Sequence, residues 1–180
     1  MTRRISPYVP LMIALVFALL GASVVAALKR QGDMLSLVFP FATLIVCGLD
    51  VRWSWSPEVG LPVHLAGLAL MVLGFAIISW AMVSNPFFSG AVRIQSERGH
   101  TVASGGPYRY VRHPGYVGMI LHFGSLALVL GSLWALLPAL INVALFILRT
   151  ALEDRTLQAE LPGYREYAAQ TRYRLLPGVW

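Results

Sequence analysis

Residues Pro114 to Leu148, PGYVGMILHFGSLALVLGSLWALLPALINVALFIL, contain no Asp, Glu, Lys or Arg. One helix of this length would measure about 52 Å, whereas the hydrocarbon core of a bilayer is about 30 Å thick. The run must therefore fold back on itself. Gly131-Ser132 is the natural break, since glycine tolerates turn conformations and serine can bond to freed backbone groups. Pro138 then suits the first turns of the returning helix, and the sequence predicts a tight helical hairpin.

The composition places the rest of the chain in the membrane as well. Hydrophobic residues make up 57% of the 180 residues and charged residues only 12%, too little polar surface for a soluble domain of this size. Besides the hairpin, three apolar runs approach the ~20 residues that a spanning helix needs: Tyr8 to Leu28, Met34 to Leu49, and Leu61 to Val83.

We therefore expect an all-α integral membrane protein with about five transmembrane helices. A single domain would cover residues 1–180, with three spans in residues 1–83 and a core in residues 84–180. Two polar excursions, Ser84 to His113 and Arg149 to Trp180, would meet on one side of the membrane. On the other side, Asp50 to Gly60 carries two tryptophans and is expected to be an interfacial connection without a chemical role.

The distribution of Lys and Arg predicts the orientation. Five spans leave eleven of these residues on the side of the C-terminus and three on the other side, and cytoplasmic loops hold such residues in excess. The C-terminus is therefore expected in the cytoplasm, with the protein in a bacterial inner membrane. Arg3 and Arg4 before Leu11 to Leu20 also resemble a signal peptide or a weak twin-arginine signal, but the apolar run is long enough to span.

Charge and cysteine content exclude several functions. The net charge of +6 would suggest nucleic acid in a soluble protein, but here the basic residues flank membrane segments, where anionic lipids are the expected partners. Cys47 is the only cysteine, so disulfides and paired-thiol chemistry are excluded. No spacing of His or acidic residues resembles a metal site, and Gly105-Gly106 lacks the pattern of a dinucleotide-binding fold.

Ser104 to Met119 concentrates charged and aromatic side chains directly before the hairpin. Arg112 and His113 precede Pro114, and a helix N-terminus flanked by Arg and His attracts anions. Alternatively, the arginines face lipid phosphates and the tyrosines form an interfacial belt. That alternative involves Arg109, Arg112, Tyr108, Tyr110 and Tyr116.

Arg149 and Glu153 lie four residues apart, where the last helix leaves the membrane, and therefore share one helix face. They form either a helical salt bridge worth about 0.3–0.5 kcal/mol or a site for an acidic ligand and an amino or hydroxyl group. Leu161-Pro162-Gly163-Tyr164 then breaks the helix. Arg172 to Pro177 follows, for which a basic amphipathic helix on the membrane is an ordinary explanation.

Two polar residues lie within the hairpin itself. His122 and Asn142 are ten residues before and ten residues after Ser132. Polar side chains inside a membrane are functional suspects, but at this depth a structural role is favoured. We predict that they face each other and form a hydrogen bond across the hairpin, worth about 0.6 to 2 kcal/mol.

The polar residues occur in a characteristic order: His100 to Ala103, Tyr108, Arg112-His113-Pro114-Gly115-Tyr116, the hairpin, and Arg149 with Glu153. This order resembles the isoprenylcysteine carboxyl methyltransferase family, over roughly Asn85 to Pro177. The resemblance implies an integral membrane enzyme with a cytoplasmic pocket, which transfers a methyl group from S-adenosylmethionine to a lipophilic acceptor, first of all the carboxylate of an isoprenylcysteine-like compound. It also implies the residues that bind the cofactor: Gln95, His100, Thr101, Val102, Ala103, Tyr108, His113, Pro114, Gly115, Tyr116 and Glu153.

The catalytic residues expected from the resemblance and from chemistry are Arg149, His113 and Arg112. Arg149 matches the family's substrate arginine and would clamp an acceptor carboxylate, which needs no general base at a pKa of ~4. Arg112 and His113 would face the carboxylate of the cofactor. An amine or thiol acceptor would need deprotonation, for which His113 is the nearest base. A methyltransferase for phospholipid amines or small thiols, and a non-catalytic protein that binds a lipid or a partner, are the alternatives.

Overall fold

The computed structural model describes residues 35–89 and 94–180, which fold into helices without a β-strand in these ranges. Two short 3₁₀ helices, Ser96–Arg98 and Gly106–Arg109, lie in the first polar excursion. The α-helices are α1 Leu35–Trp53, α2 Leu61–Ser84, α3 Pro114–Gly124, α4 Leu126–Val129, α5 Leu136–Glu160 and α6 Tyr164–Gln170.

Among the described residues, α2 and α5 are long and apolar enough to cross a membrane. Residues Pro114–Val129 form a shorter apolar segment made of α3 and α4. The predicted span Tyr8 to Leu28 lies outside the described residues.

The apolar run turns back on itself near its middle, as its length requires. Gly131 adopts a left-handed φ of 69°, and α5 begins at Leu136, with Pro138 buried in its first turn. The hydroxyl of Ser132 accepts a hydrogen bond from the amide of Ala135 at 3.1 Å, so the serine does satisfy a freed backbone group. The predicted break at Gly131-Ser132 is therefore confirmed.

The connection between the first two described helices is shorter than predicted. Helix α1 continues through Trp53, so Asp50 belongs to its last turns and is buried. Its carboxylate accepts hydrogen bonds from the backbone amide of Ser56 at 2.7 Å and from the hydroxyl of Ser132 at 2.5 Å. Asp50 thus joins α1 to the turn of the hairpin at the end of the bundle away from the polar excursions.

Small residues allow α2 to approach the first arm of the hairpin closely. Gly67, Gly74 and Ala81 recur every seven residues on one face of α2 and are buried. A Cβ on Gly74 would lie 2.5 Å from the amide nitrogen of His122, and one on Gly118 would lie 2.7 Å from the carbonyl oxygen of Gly74. Membrane helices commonly use such small residues for close packing. The glycines therefore set the distance between α2 and α3.

The predicted hydrogen bond between His122 and Asn142 is wrong. The Nδ1 atom of His122 lies 3.1 Å from the backbone carbonyl oxygen of Met71 in α2. Oδ1 of Asn142 is buried and has no hydrogen-bond partner among the described residues. Counting equal steps from the turn assumes two regular helices, but the first arm is interrupted between α3 and α4 near Ser125. The close contact at Gly74 then directs His122 toward α2.

Candidate active site

A cavity of about 830 Å³, including its part open to solvent, lies where both polar excursions meet the N-terminal end of α3 and the C-terminal part of α5. Its walls come from the loop after α2, the first turns of α3, the later turns of α5, and α6. The apolar and aromatic lining includes Phe87, Phe88, Ile94, Val102, Tyr108, Met119, Leu157, Leu161, Tyr164 and Tyr167. The cavity therefore combines an apolar and aromatic lining with polar and charged groups such as His100, His113 and Glu153.

Most residues expected at the site from sequence line this one cavity. They are His100, Thr101, Val102, Ala103, Tyr108, Arg112, His113, Gly115, Tyr116 and Glu153. Three expected residues, Gln95, Pro114 and Arg149, do not line it, but each lies next to a residue that does. The structure thus brings together segments that are separated by the whole hairpin in sequence.

Gln95 shapes the loop behind the cavity. Its side chain is buried, donating from Nε2 to the carbonyl oxygen of Phe87 at 2.8 Å and accepting from Nη1 of Arg98 at 2.7 Å. Its backbone amide donates to Nδ1 of His100 at 3.2 Å. Pro114 is also buried and begins α3 directly behind His113. Both residues support wall residues from behind.

His100 stacks on Phe87, with ring centres 4.5 Å apart. Because Nδ1 accepts the Gln95 amide proton, the ring in this arrangement is neutral and carries its hydrogen on Nε2. Burial lowers the pKa of His100 below its ordinary value of 6.5; the Glu153 carboxylate opposes this shift and the Arg98 guanidinium adds to it. His100 is thus held as a neutral wall residue.

The tyrosines of the Ser104 to Met119 segment have different surroundings. Tyr110 is 65% exposed, as an interfacial belt requires, whereas Tyr108 is buried. The Tyr108 hydroxyl accepts a hydrogen bond from Nδ2 of Asn85 at 3.2 Å, and burial raises its pKa to about 12. The hydroxyl of Tyr167 donates to the backbone carbonyl of Tyr108 at 2.7 Å. The belt alternative therefore fits Tyr110 but not Tyr108.

Tyr116 connects Arg149 to Glu153. Its hydroxyl donates to Oε2 of Glu153 and accepts from Nε of Arg149 at 2.7 Å. The Arg149 guanidinium also lies over the Tyr116 ring, 5.8 Å from its centre. The two charged residues share a face of α5, as expected, and a residue of α3 holds both of them. This contact across the hairpin places opposite charges beside the cavity.

Arg112 is committed to structure rather than exposed to an anion. Its Nε and Nη2 atoms bind the two carboxylate oxygens of Asp154 at 2.7 and 3.0 Å. Its Nη1 donates to the carbonyl oxygens of Thr171 and Arg172 at 2.9 and 2.7 Å. Arg112 is 7% exposed and Asp154 is fully buried. Arg112 therefore fixes α5 to the segment that follows α6.

Residues 171–180 are not helical, unlike the amphipathic helix suggested for Arg172 to Pro177. The backbone amides of Arg112 and His113 donate to the carbonyl oxygens of Tyr173 and Arg174 at 2.9 and 3.0 Å. Nε of Arg174 also donates to Asp154 at 2.8 Å. Pairing with the backbone ahead of α3 thus replaces helix formation in this segment.

Sequence reasoning missed Asp154, Tyr164, Tyr167 and Arg174. The available signal for Asp154 was an acidic residue next to Glu153 on a helix that is apolar for most of its length. Glu153 and Asp154 point to different surroundings, because adjacent residues on a helix are about 100° apart. The i, i+4 pattern with Arg149 selects only Glu153.

The fold and the cavity define a helical membrane protein with a binding site at the end of a hairpin. The chain matches the isoprenylcysteine carboxyl methyltransferase family over residues 67–159, just over half of its length, and belongs to that family. Family membership identifies it as a membrane methyltransferase. The match begins earlier than the resemblance in sequence suggested, within α2, and ends before α6. No curated protein matches the chain significantly.

Proposed function

We propose that the protein transfers a methyl group from S-adenosylmethionine to a lipophilic acceptor at the membrane–cytosol interface, with the carboxylate of an isoprenylcysteine-like compound as the first candidate. The observation that carries this proposal is the single cavity lined by residues 100–103, His113, Tyr116 and Glu153. Its lining combines many apolar and aromatic side chains with a few polar groups, as is usual for small-molecule sites. Family membership supplies the reaction class.

The lining fits a cofactor that carries a sulfonium cation, an ammonium group and an aromatic base. The ring faces of Tyr108 and Tyr116 would stabilise the sulfonium cation, each by about 0.5–2 kcal/mol. The Glu153 carboxylate would attract positive charge, and the phenylalanines and leucines of the wall offer apolar surface for the base. When bound, S-adenosylmethionine would supply the electrophilic methyl group.

Arg149 would bind the acceptor carboxylate, because its planar guanidinium matches the two oxygens of a carboxylate. The hydrogen bond from Nε to Tyr116 restricts the orientation of that guanidinium. A carboxylate is already ionised at neutral pH, so the residues of the site need only position the acceptor and exclude water. Good positioning alone lowers a barrier by about 7–11 kcal/mol.

Arg112 receives a different role from the one expected from sequence. With its guanidinium bound to Asp154 and to two backbone carbonyls, we assign it to positioning rather than to catalysis or cofactor binding. Its effect on the reaction would pass through His113, its neighbour in sequence and a wall residue of the cavity.

The cavity would face the cytoplasm, with the protein in a bacterial inner membrane. The excess of basic residues on the side of the cavity supports this orientation.

Isothermal calorimetry of the detergent-solubilised protein with S-adenosylhomocysteine tests cofactor binding. We expect binding by the native chain and at least about tenfold weaker binding by Glu153→Ala, because a charged hydrogen-bond partner is lost. Glu160→Ala is the matched control, since Glu160 is exposed on the same helix outside the cavity. A native chain that binds no S-adenosylhomocysteine would contradict the proposal.

Methyl transfer from labelled cofactor to prenylcysteine analogues, phosphatidylethanolamine and small thiols identifies the acceptor. We expect methylation of the prenylcysteine carboxylate, with loss of most activity in Arg149→Ala and little change in S-adenosylhomocysteine binding. Transfer to the amine or the thiol alone would favour the other acceptor classes. Cofactor binding without methyl transfer to any lipophilic acceptor would contradict the proposed enzymatic activity and would indicate a binding protein.

A further inference from the structure

A buried carboxylate lies directly behind the cavity wall. Asp154 does not line the cavity, but its Oδ1 lies 3.2 Å from Nε2 of His113, which does. The hydroxyl of Tyr164 donates to the same oxygen at 3.1 Å and lies 3.3 Å from the same ring nitrogen. Asp154, His113 and Tyr164 therefore form one buried hydrogen-bonded group at the base of the wall.

Two arginines hold Asp154 in its ionised form. Arg112 binds both carboxylate oxygens, and Arg174 binds Oδ2 at 2.8 Å. Gln158 donates to Oδ2 at 2.7 Å as well. An ionised carboxylate can only accept hydrogen bonds. The proton between Asp154 and His113 must therefore reside on Nε2 of the imidazole.

We propose that Asp154 is a positioning residue that fixes His113 in the form with a hydrogen on Nε2, so that Nδ1 is the ring nitrogen left to face a bound molecule. A neutral imidazole in this form has a lone pair on Nδ1 and acts there as a hydrogen-bond acceptor. Such an acceptor suits an amino group or another N–H donor in the cavity. The inference deepens the proposed function and, in its ligand-binding part, rests on it.

The same carboxylate also fixes the segment after α6. Arg112 reaches from Asp154 to the carbonyl oxygens of Thr171 and Arg172, and the amide of His113 donates to the carbonyl oxygen of Arg174. The imidazole is therefore held at its ring by Asp154 and at its backbone by a segment that Asp154 also anchors through Arg174. Loss of the carboxylate charge would release both restraints on His113.

Asp154→Asn removes the carboxylate charge with little change in shape. The new amide group must direct its NH₂ toward one set of former donors, and arginine cannot become an acceptor. Arg112 donates to both oxygens, so either orientation of the new amide loses one of its two hydrogen bonds. Arg174 donates only on the Oδ2 side, so the NH₂ should take the Oδ1 side, where His113 and Tyr164 can reverse their roles. We therefore expect His113 to move its hydrogen to Nδ1 in this variant.

The test is ¹⁵N NMR of histidine-labelled full-length protein in detergent, since the ring nitrogen shifts report which nitrogen carries hydrogen. The signals of His64, His100, His113 and His122 are assigned by single substitutions to Gln. We expect hydrogen on Nε2 of His113 in the native chain and in the control Glu160→Gln, and hydrogen on Nδ1 in Asp154→Asn. Hydrogen on Nδ1 in the native chain, or an unchanged spectrum in Asp154→Asn, would overturn the proposal.

Tyr164→Phe keeps the carboxylate and remains informative if Asp154→Asn fails to fold. We expect hydrogen on Nε2 in this variant, because Asp154 still accepts it; a shift to Nδ1 would assign the role to Tyr164 and overturn the proposal. Calorimetry with S-adenosylhomocysteine should show about tenfold weaker binding in Asp154→Asn and none of this loss in Glu160→Gln. Native protein that fails to bind would reject the proposed function, while the NMR result would still decide the role of Asp154.

Discussion

Arg149 of α5 and Tyr116 of α3 are joined by a 2.7 Å hydrogen bond from the guanidinium Nε to the phenol oxygen. The guanidinium also lies over the ring, so both the polar and the apolar parts of Tyr116 restrict it. Because the two residues belong to opposite arms of the hairpin, their contact fixes the arms at the level of the cavity. Removal of one hydroxyl would loosen Arg149 without altering Arg149 itself.

Tyr116→Phe should therefore lower methyl transfer more than it lowers cofactor binding. A hydrogen bond to a charged group contributes about 1.5–3 kcal/mol, which corresponds to at least about tenfold in kcat/KM for a carboxylate acceptor. The measurement compares initial rates with calorimetric binding of S-adenosylhomocysteine. Tyr110→Phe is the control, since Tyr110 is exposed and outside the cavity. Equal rates for both variants would show that the hydroxyl does not orient Arg149.

Gly74→Ala should destabilise the helix packing. The added Cβ would lie 2.5 Å from the backbone nitrogen of His122, so α2 and α3 would have to separate, at a cost of about 1–3 kcal/mol. Thermal unfolding in detergent measures the loss. Gly48→Ala is the matched control, because a Cβ on Gly48 has no neighbour within 4 Å and the helix gains about 0.5–1 kcal/mol of propensity. A melting temperature for Gly74→Ala at or above the native value would contradict this account of the packing.

Ser132→Ala should affect stability but leave the cavity intact. The substitution removes a hydrogen bond to the buried Asp50 carboxylate and leaves the Ala135 amide without the serine oxygen, for a loss of about 1–3 kcal/mol. S-adenosylhomocysteine affinity should remain within about twofold after correction for the folded fraction. Ser79→Ala serves as control, since the Ser79 hydroxyl donates to the carbonyl oxygen of Phe75 within its own helix. An unchanged unfolding temperature in Ser132→Ala would show that the contact between Asp50 and Ser132 does not stabilise the packing of α1 against the hairpin.

The loop around Gln95 should weaken in acid. Burial lowers the folded-state pKa of His100 below 6.5, so the stabilisation by neutral His100 is fully present above about pH 6.5. It is lost as the pH falls through the lower, folded pKa, when Nδ1 gains a proton and can no longer accept the Gln95 amide. Hydrogen exchange of that amide, corrected for intrinsic rates, measures the transition.

Glu153→Gln tests the electrostatic part of this prediction. The Glu153 carboxylate favours protonation of His100, so its removal should move the transition to lower pH. A transition above pH 6.5 in the native protein, or a shift to higher pH in the variant, would be inconsistent with the buried, neutral ring.

Length and composition predicted the hairpin because the constraint is geometric. An uncharged run from Pro114 to Leu148 cannot remain straight within a bilayer, and Gly131 and Ser132 offer the backbone freedom and hydroxyl that a break needs. The same simple count failed for His122 and Asn142. Their relative orientation depends on the rotation of α3, which is set by its contact with Gly74 and by the interruption near Ser125.

The candidate site was predictable in its members but not in their connections. The i, i+4 spacing placed Arg149 and Glu153 on one face of a helix. The order of polar residues that resembles the family indicated most of the residues that line the cavity. Neither indicated that the Tyr116 hydroxyl would form hydrogen bonds with both Arg149 and Glu153, or that Arg112 would form a salt bridge with Asp154. Such connections depend on which side chains meet across separate elements, and no periodicity within one element encodes them.

Arg149, Glu153 and Asp154 lie within two turns of α5, yet they serve different parts of the molecule. The first two contact Tyr116, whereas Asp154 secures His113 and the segment after α6. Residues 149–154 therefore move as one unit. Any slide or rotation of α5 would displace Arg149, the cavity wall at Glu153 and the C-terminal segment together. Substitutions that change acceptor preference but preserve cofactor binding should therefore lie on other helices. Met119 of α3 is an example, because it lines the cavity and does not belong to this part of α5.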